Sequence, residues 1–337
     1  MKDIARDLGL SIVTVSKVLR DHPDISEETR KRVLRRMREL NYRPNFAARS
    51  LSSGRTWTLG LVVPTLLHPF FAQIAKEISF EVRKQGYSLF ISSSDEDPDL
   101  EIQEIEHLLA RHVDVMLIAS AQGTVESFQR IEELRIPYIL LDRQFPGLQT
   151  NFVGVDDNLV GVLATTHLIE QGCERIAHIR GAQISTAIGR LEGYEQALAS
   201  FRMTPLPGHV ISIGASGDNK GEQKGYEAAM SLLGNESRPD GIFCFNDPVA
   251  LGAMRAILDA GLRIPQDVAV VGCGNLPHSD FLRVPLSSVD QGSIDIGKRA
   301  AALALHLAQN KSATRSKKEF IRPELVVRAS SLRKSDG

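Results

Sequence analysis

From Thr58 onward, short apolar runs alternate with stretches of helical periodicity, which limits the chain to few architectures. Repeated strand–helix alternation is typical of α/β proteins with parallel sheets. A first set of predicted strands comprises Leu59–Val63, Ser88–Ser92, Val113–Ile118, Tyr138–Leu141 and Phe152–Val155. A second set comprises Ile176–Ile179, His209–Ile213, Gly241–Phe245 and Val268–Val271. Two such sets in tandem indicate two lobes with a cleft between them, and ligands of such sheets bind beyond the carboxyl ends of the strands.

Composition adds limits on partners and location. At 337 residues and 42% hydrophobic content, the chain is long enough for two or three domains with cores of their own. The net charge of -1 conceals a basic head, residues 1–56, and an acidic remainder, which suggests a polyanionic partner for the head alone. Cys173, Cys244 and Cys273 show neither zinc nor disulfide spacing, and no apolar run has the length of a signal or a membrane span. We therefore expect a cytoplasmic protein with no membrane association.

The head is organised around the segment from Ser11 to Leu19, which predicts a helix suited to the major groove of DNA. This segment follows a short predicted helix over Lys2–Leu8 and a tight turn at Gly9, and the Ser11 hydroxyl can cap its first turn. The helix is expected to bury an apolar stripe formed by Val15, Val18 and Leu19. Because Ala5 is small enough for the two helices to cross closely, the pattern fits a helix-turn-helix.

A third helix is predicted from Glu27 to Leu40, with Ser26 as its N-cap and Asn41 as a left-handed stop. Its buried stripe is expected to comprise Val33, Leu34, Met37 and Leu40. Four arginines lie mostly outside that stripe: Arg32, Arg35, Arg36 and Arg38. They could contact DNA phosphates or form an ordinary solvated face, and the sequence leaves these two alternatives equally open.

Motifs of catalysis and cofactor binding are absent from the sequence. No Gly-x-Gly-x-x-Gly follows a strand, and there is no Walker loop, Gly-x-Ser-x-Gly elbow or His-Glu-x-x-His pair. The nine histidines are scattered without metal-ligand spacing. We therefore expect neither an enzyme nor a protein that holds a nucleotide cofactor or a metal.

The residues from Lys2 to Leu51 resemble the lactose-repressor and purine-repressor (LacI/GalR-type) family of bacterial regulators. The resemblance rests on the Ser-x-x-Thr-Val-Ser-Lys-Val-Leu helix, the Ile-Ser-x-x-Thr-Arg start of the third helix and Asn-Tyr-x-Pro-Asn before a hinge. It implies a helix-turn-helix DNA-binding domain over residues 1–43 and a hinge over 44–57 that becomes helical only on DNA. One hinge per subunit would enter the minor groove, where Leu51 would wedge apart the central base step. The plainer alternative is that Leu51 begins the packing of the next domain.

The resemblance implies base contact by Ile12, Val13 and Lys17. Lys17 suits guanine O6 and N7, and the two aliphatic side chains suit thymine methyl groups. Many relatives carry polar residues at the first two positions and arginine at the third, so we expect a pseudo-palindromic operator with a sequence of its own. The expected DNA-contacting residues are Ser11, Ile12, Val13, Thr14, Ser16, Lys17, Asn45, Ala48 and Leu51. Relatives also begin a few residues earlier, so we expect a start codon upstream of Met1.

Landmarks of the same family continue through the body, among them Gly60–Pro64, His68–Phe71, Phe245–Asp247 and Leu286–Gln291. They imply that the helical head precedes an α/β, two-lobed, periplasmic-binding-protein-like body. The N-terminal lobe would contain residues 58–156 with 288–316, and the C-terminal lobe residues 157–287 with 317–333. In this family the N-terminal lobes pair the subunits. Because no leucine heptads follow Leu332, a homodimer is expected in preference to a tetramer.

The resemblance also implies an effector site in the cleft between the lobes. Its expected residues are Phe70, Phe71, Asp142, Arg190, Asn246 and Gly274. The two phenylalanines would stack on a sugar or base, Arg190 would grip the effector, and Asp142 and Asn246 would hydrogen-bond its hydroxyls. Each has a plainer alternative, since phenylalanine pairs are usually core, an aspartate after a strand often caps a turn, and Arg190 could open a surface helix.

Gly274 departs from the family pattern, in which most members have an aspartate that binds the effector and offsets the arginine. The missing carboxylate should leave Arg190 less neutralised, which favours an anion. We therefore expect a sugar acid or a phosphorylated sugar in preference to a neutral hexose. A phosphorylated partner protein as corepressor, as in one branch of the family, is the alternative.

Together these features predict a ligand-responsive, sequence-specific DNA-binding regulator, by resemblance a repressor of carbohydrate genes. A small sugar-derived effector would act through its different affinities for two states of the cleft. The alternative from another class is a two-lobed solute-binding protein without a transcriptional role, which the basic head argues against.

Overall fold

The chain divides into two units, residues 1–56 and residues 57–337. The computed structural model describes residues 1–19, 22–42, 55–145, 147–214, 220–310 and 316–333. Most of the predicted hinge, including Asn45, Ala48 and Leu51, lies outside the described residues. In the described parts of the chain, no helix is both long enough and apolar enough to cross a membrane.

The described part of the head contains helices α1 (Lys2–Leu8), α2 (Ile12–Leu19) and α3 (Glu27–Glu39). Gly9 is left-handed, with φ 64°, in the turn between the first two helices. The Ser11 hydroxyl caps α2 by accepting a hydrogen bond from the Thr14 amide at 2.9 Å. The small core of the head comprises Ile4, Ala5, Val15, Val18, Val33 and Met37. The predicted helix-turn-helix is confirmed.

Helix α3 buries a narrower stripe than its sequence predicts. Leu34 and Leu40 are each 41% exposed, because three short helices enclose too small a core to cover them. One of the four arginines also has an internal role. Arg36 donates to Asp7 of α1 at 3.0 Å and to Glu39 at 2.9 Å, so its guanidinium joins α3 to α1.

Strands and helices alternate along the body, as the sequence predicts. The strands are β1 (Thr58–Val63), β2 (Ser88–Ser93), β3 (Val115–Ile118), β4 (Tyr138–Leu141), β5 (Asn151–Val155), β6 (Ile176–Arg180), β7 (Val210–Ser212), β8 (Gly241–Cys244), β9 (Ala269–Cys273), β10 (Ser287–Asp290), β11 (Lys318–Ile321) and β12 (Glu324–Val326). The helices are α4 (Pro69–Lys84), α5 (Pro98–Ala110), α6 (Glu126–Glu133), α7 (Asp157–Glu170), α8 (Ser185–Ser200), α9 (Gly221–Leu233), α10 (Asp247–Asp259) and α11 (Ser293–Gln309).

The strands form two six-stranded sheets, one in each lobe. The N-terminal sheet has the order β11-β5-β4-β3-β1-β2, and all of its pairings are parallel. The C-terminal sheet has the order β12-β10-β9-β8-β6-β7, and only its β10–β12 pairing is antiparallel among the described strands. Both sheets are covered by helices, so β1, β3, β4, β8 and β9 are almost wholly buried.

The described chain crosses between the lobes at 155–157, 290–293 and 321–324. Two predicted lobe boundaries, at 288 and 317, were wrong. Strand β10 pairs with β9 and β12 and so belongs to the C-terminal lobe, whereas β11 pairs with β5 and so belongs to the N-terminal lobe. The predicted hinge also ends one residue late, because Trp57 packs its ring against Tyr87 of the body with 5.2 Å between the centroids.

Two glycines let helices α7 and α8 cross at very close range. A Cβ atom at Gly193 would lie 2.0 Å from the Asn158 carbonyl oxygen, and one at Gly161 would lie 2.2 Å from the Arg190 carbonyl oxygen. Helix α8 begins at Ser185, earlier than predicted, so Arg190 lies inside the helix and is buried instead of opening it at the surface. The crossing brings Arg190 of α8 against Asp157, the first residue of α7.

His178 is an uncharged ring in the core of the C-terminal lobe. It stacks against Phe243 at 4.6 Å and against Tyr194 at 5.5 Å, and its Nδ1 lies 3.0 Å from the Phe243 carbonyl oxygen. Burial lowers the pKa of His178 to about 4. Among the described residues its Nε2 has no hydrogen-bond partner. The folded chain therefore resists protonation of a ring that the unfolded chain protonates readily.

We expect His178→Phe to make the body less sensitive to acid. Because the folded pKa is depressed, the unfolded state binds the extra proton, and stability is lost as pH falls from about 6.5 towards 4. Between pH 7 and pH 5 the wild type should lose about 2 kcal/mol through this ring, and the variant should not. Urea denaturation of both proteins at the two pH values measures the difference. An equal pH dependence in the two proteins would contradict this account.

Candidate functional site

A cavity lies in the cleft where loops after several strands meet, and its empty space, including the part open to solvent, is about 400 Å³. It is lined by His68, Phe70, Phe71, Glu96, Asp142, Arg143, Thr186, Arg190, Phe245, Asn246 and Gln291. Five of the six predicted effector residues are therefore brought together, and Gly274 is not among the lining residues. Phe70 and Phe71 belong to the buried core and also wall this cavity, and their stacking on an effector stays a prediction.

Arg190 is held by groups of the C-terminal lobe. Its Nε lies 3.0 Å from the Asp157 carboxylate, and its Nη1 donates to the Phe245 carbonyl oxygen at 2.7 Å. The Phe245 ring covers the guanidinium at 4.8 Å. The sequence predicts that Arg190 is less neutralised than in relatives because Gly274 has no carboxylate; the α7–α8 crossing nevertheless gives Arg190 one carboxylate partner, Asp157.

The second cavity arginine is paired as well. Arg143 contacts the Glu96 carboxylate at 2.6 Å and donates to the Ser120 carbonyl oxygen at 2.8 Å. Two hydrogen bonds from one guanidinium to one carboxylate fix both side chains in a planar arrangement. Both arginines that line the cavity thus carry their own counter-charge.

Two carboxyl groups of the cleft lie close to this cation pair. Asp142, left-handed with φ 63°, follows β4, and Gln291 donates to it at 3.4 Å. Burial raises the pKa of Asp142, and the charges of Arg190 and Arg143 oppose that rise. Burial also raises the pKa of Asp157, to about 7, against the lowering effect of Arg190. Burial and the arginine charges therefore act in opposite directions on the protonation of both carboxyl groups.

His68 and Asn246 face each other across the cleft as two hydrogen-bond donors. The Asn246 carbonyl oxygen accepts from the Val249 amide at 3.0 Å, which turns its NH2 group outward. The His68 Nδ1 accepts from the Phe70 amide at 3.3 Å, which leaves the ring proton on Nε2. Burial, together with Arg190 and Arg143, lowers the pKa of His68 to about 4, so the ring is neutral at pH 7. The two donor nitrogens lie 3.5 Å apart, so one oxygen placed beside them, within hydrogen-bond distance of each, would accept from both.

A second cavity of about 470 Å³ adjoins the first beyond the Phe245 ring. Glu96, Arg143, Phe245 and Asn246 line both cavities. The remaining lining residues are mostly apolar or small: Gly181, Ala182, Ile184, Ile213, Gly214, Gly221, Pro248 and Val249. The cleft thus offers a polar compartment beside a more apolar one.

The predicted base-reading residues lie on one exposed surface of the head. Ile12 is 44% exposed and Val13 is 64% exposed, so both present methyl groups to solvent. Ser11 and Thr14 bond each other through their hydroxyls at 2.8 Å, which makes them parts of the α2 cap. The Lys17 ammonium lies 3.3 Å from the Asp24 carboxylate in the loop after α2. Asn45, Ala48 and Leu51 are outside the described residues.

Two family matches span almost the whole chain. Residues 1–45 match the family described as bacterial regulatory proteins, lacI family. Residues 56–323 match the family described as periplasmic binding proteins and sugar binding domain of LacI family. The chain belongs to the LacI family. Like other members of that family, it is a DNA-binding transcriptional regulator with a helix-turn-helix head.

Individual LacI-family relatives match along most of their length. The chain is 32% identical over 336 residues to the HTH-type transcriptional repressor PurR of Haemophilus influenzae (strain PittEE), with 98% of each covered. It is 34% identical over 313 residues to the ribose operon repressor of Haemophilus influenzae (strain ATCC 51907 / DSM 11121 / KW20 / Rd), with 92% of each covered. The solved structure of the Lac repressor dimer bound to operator and the anti-inducer ONPF matches with a TM-score of 0.85, 26% identity and 98% coverage of both chains. The relatives named here are repressors, not enzymes.

Gly274 lies behind strand β9 in this LacI-family chain, which explains its absence from the cavity wall. Its φ of 128° strains any residue with a side chain, and a Cβ atom there would lie 3.6 Å from the Asp247 carboxylate. That carboxylate is buried and accepts hydrogen bonds from the Ser288 hydroxyl at 2.6 Å and the Leu276 amide at 2.8 Å. A substituent at position 274 would therefore point towards Asp247, and Gly274 does not line the cavity that holds the other five predicted effector residues.

Six lining residues were not predicted as site residues: His68, Glu96, Arg143, Thr186, Phe245 and Gln291. Three of them lie inside sequence landmarks of the LacI family, namely His68, Phe245 and Gln291. Arg143 directly follows the predicted Asp142. Glu96 and Thr186 lie in no sequence motif and next to no predicted site residue. Only the folded loop or helix brings each of them to the cavity. In the described residues, no group of three or more His, Cys, Asp or Glu is arranged to hold a metal ion.

We expect opposite effects from removing the charge of the two cleft aspartates. Asp157→Asn leaves the buried Arg190 charge without its carboxylate and should lower the free energy of unfolding by about 3 kcal/mol at pH 8. Asp142→Asn removes a buried carboxylate whose pKa is raised, and asparagine tolerates the left-handed backbone, so stability should be unchanged or higher. Urea denaturation at pH 8 compares the two isosteric variants. Equal destabilisation by both would refute the assignment of Asp157 as the partner of Arg190.

Proposed function

We propose that this protein is a homodimeric repressor that binds a pseudo-palindromic operator and releases or tightens it when a small molecule occupies the cleft. One chain combines a helix-turn-helix head, on which Ile12 and Val13 are exposed, with a cleft cavity. Two arginines paired with carboxylates and two outward-facing hydrogen-bond donors line that cavity. This combination carries the proposal. The PurR, ribose operon and Lac repressor relatives support repression, and the operator-bound Lac repressor dimer supports a dimer on DNA. A regulator of this kind acts in the cytoplasm, where its operator is.

For the effector we propose an uncharged, polyhydroxylated molecule, a sugar or a close derivative, and so a role in carbohydrate gene control. Both cavity arginines already have carboxylate partners, so an anionic effector would have to compete with Asp157 or Glu96. Hydroxyls both donate and accept, which suits the mixture of His68, Asn246 and Asp142. The ribose operon repressor among the relatives supports this class.

A purine base is the second candidate effector class. The PurR relatives favour it by name, and the Phe245 ring, which separates the two cavities, offers a flat surface on which a base can stack. A sugar acid or sugar phosphate ranks below both, because an anion would compete with Asp157 for Arg190.

The proposed mechanism rests on the fact that His68 and Asn246, the two outward-facing donors, belong to different lobes. His68 begins α4 in the N-terminal lobe, and Asn246 begins α10 in the C-terminal lobe. A ligand oxygen that accepts from both would favour the closed cleft over the open one. The ligand then shifts the balance of the two states by its difference in affinity for them, which would change the spacing of the two heads in a dimer.

Binding to DNA tests the function itself. We expect the full chain to bind its own promoter region specifically in an electrophoretic mobility shift assay.

Lys17→Ala should reduce the free energy of binding to that operator by about 1–3 kcal/mol and relax the preference at one base position. Leu51→Ala should weaken specific binding much more than non-specific binding. Absence of specific binding with and without candidate effectors would favour the solute-binding alternative.

A thermal-shift panel tests the effector class. Ribose, glucose and cellobiose represent neutral sugars, ribose 5-phosphate and gluconate represent anions, and hypoxanthine and guanine represent purines. We expect stabilisation by a neutral sugar, and His68→Ala should weaken its binding roughly tenfold because one donor is lost. His107→Ala, at an exposed position on α5, is the matched control and should leave affinity unchanged. Stabilisation by the anions alone would overturn the choice of a neutral ligand.

A further inference from the structure

An exposed ion pair lies at the end of helix α2, beside the predicted base-reading residues. The Lys17 ammonium is 3.3 Å from the Asp24 carboxylate, and the two side chains are 39% and 60% exposed. His22 Nδ1 lies 3.3 Å from the same carboxylate oxygen. Lys17 belongs to the last turn of α2, and Asp24 belongs to the loop that leads to α3. The carboxylate therefore stands on the surface that would meet DNA.

Stability does not explain this carboxylate. Exposed ion pairs contribute little to the folded state, because both ions are well solvated without each other. On a surface that meets phosphates, a negative charge also opposes the electrostatic attraction that gives most non-specific binding. The Asp24 carboxylate therefore adds little to the free energy of unfolding and weakens non-specific binding to DNA. Such a group is most useful when it discriminates between DNA sequences.

The spacing of the two groups matches the edge of one base pair. In the major groove, guanine presents O6 and N7 as acceptors and cytosine presents its N4 amino group as a donor. Guanine O6 and cytosine N4 are hydrogen-bonded to each other, so they lie about 3 Å apart. An ammonium and a carboxylate held 3.3 Å apart offer the complementary donor and acceptor side by side.

We propose that Asp24 is a specificity-determining residue, which reads cytosine N4 while Lys17 reads guanine of the same base pair. The inference rests on the proposed operator binding by α2. A G·C pair gives Lys17 two acceptors and Asp24 one donor, whereas an adenine offers one acceptor and one donor to the same two groups. Every base pair carries one amino group in the major groove, so the discrimination depends on its position. Where that group lies out of reach of Asp24, the carboxylate is desolvated without a partner, which penalises binding there.

The test is selection of binding sequences from a random duplex library by the full chain. The wild type should enrich one G·C pair at symmetric positions of the two half-sites. In Asp24→Ala, fluorescence anisotropy on the enriched duplex should show about tenfold less discrimination at that pair, and affinity for a random duplex should rise. Asp3→Ala is the matched control, because Asp3 forms a similar exposed pair with Arg6 at 3.2 Å on α1. It should raise affinity for a random duplex but leave every base preference unchanged.

The outcomes separate the inference from the function on which it rests. Identical base preferences in wild type and Asp24→Ala would overturn the role of Asp24 and leave operator binding intact. An enriched A·T pair at the position that responds to Lys17→Ala would overturn the G·C assignment. Equal changes in base preference in Asp24→Ala and Asp3→Ala would mean that net charge alone acts, which also overturns it. Enrichment of no sequence by the wild type would overturn both the inference and operator binding.

Discussion

The ion pair between Arg190 and Asp157 is the interaction on which the cleft depends. Two glycines allow α7 and α8 to approach closely enough for the pair to form at 3.0 Å, and the Phe245 ring covers it. The pair keeps a buried cation compatible with the protein interior, where an unpartnered charge would be very costly. Because that cation is already paired, the effector class proposed here is one that binds through the neutral donors and acceptors around it.

The cleft and the head each contain an ion pair between a basic side chain and an aspartate, in different surroundings. Burial makes the Arg190 pair a permanent part of the structure, since breaking it would leave a charge without water. Exposure makes the Lys17 pair weak and exchangeable, since water and salt ions replace either partner at little cost. The same geometry therefore serves as a fixed support in one place and as an adaptable contact in the other.

The sequence predicts nine of the twelve described strands, because the central strands of both sheets are buried on both faces and so appear as near-continuous apolar runs. The predicted lobe boundaries assign β10 and β11 to the wrong lobes, because the sequence of a short strand does not show which sheet the strand joins. Arg190 was found through a motif, but its partner Asp157 was not. That contact depends on the crossing of two helices, and a sequence pattern describes each helix separately.

The return of the chain to the N-terminal lobe has a consequence for its synthesis. Strand β11 extends the N-terminal sheet beside β5, and α11 packs against α4, where Gly297 lets the two backbones approach. Both elements come after the whole C-terminal sheet except β12 in chain order. On the ribosome, the N-terminal lobe therefore begins first but is completed only after most of the C-terminal sheet has been made, with the apolar surface of α4 uncovered in the meantime. Such long-range closure slows folding, so a nascent chain of this kind depends more than most on protection from aggregation.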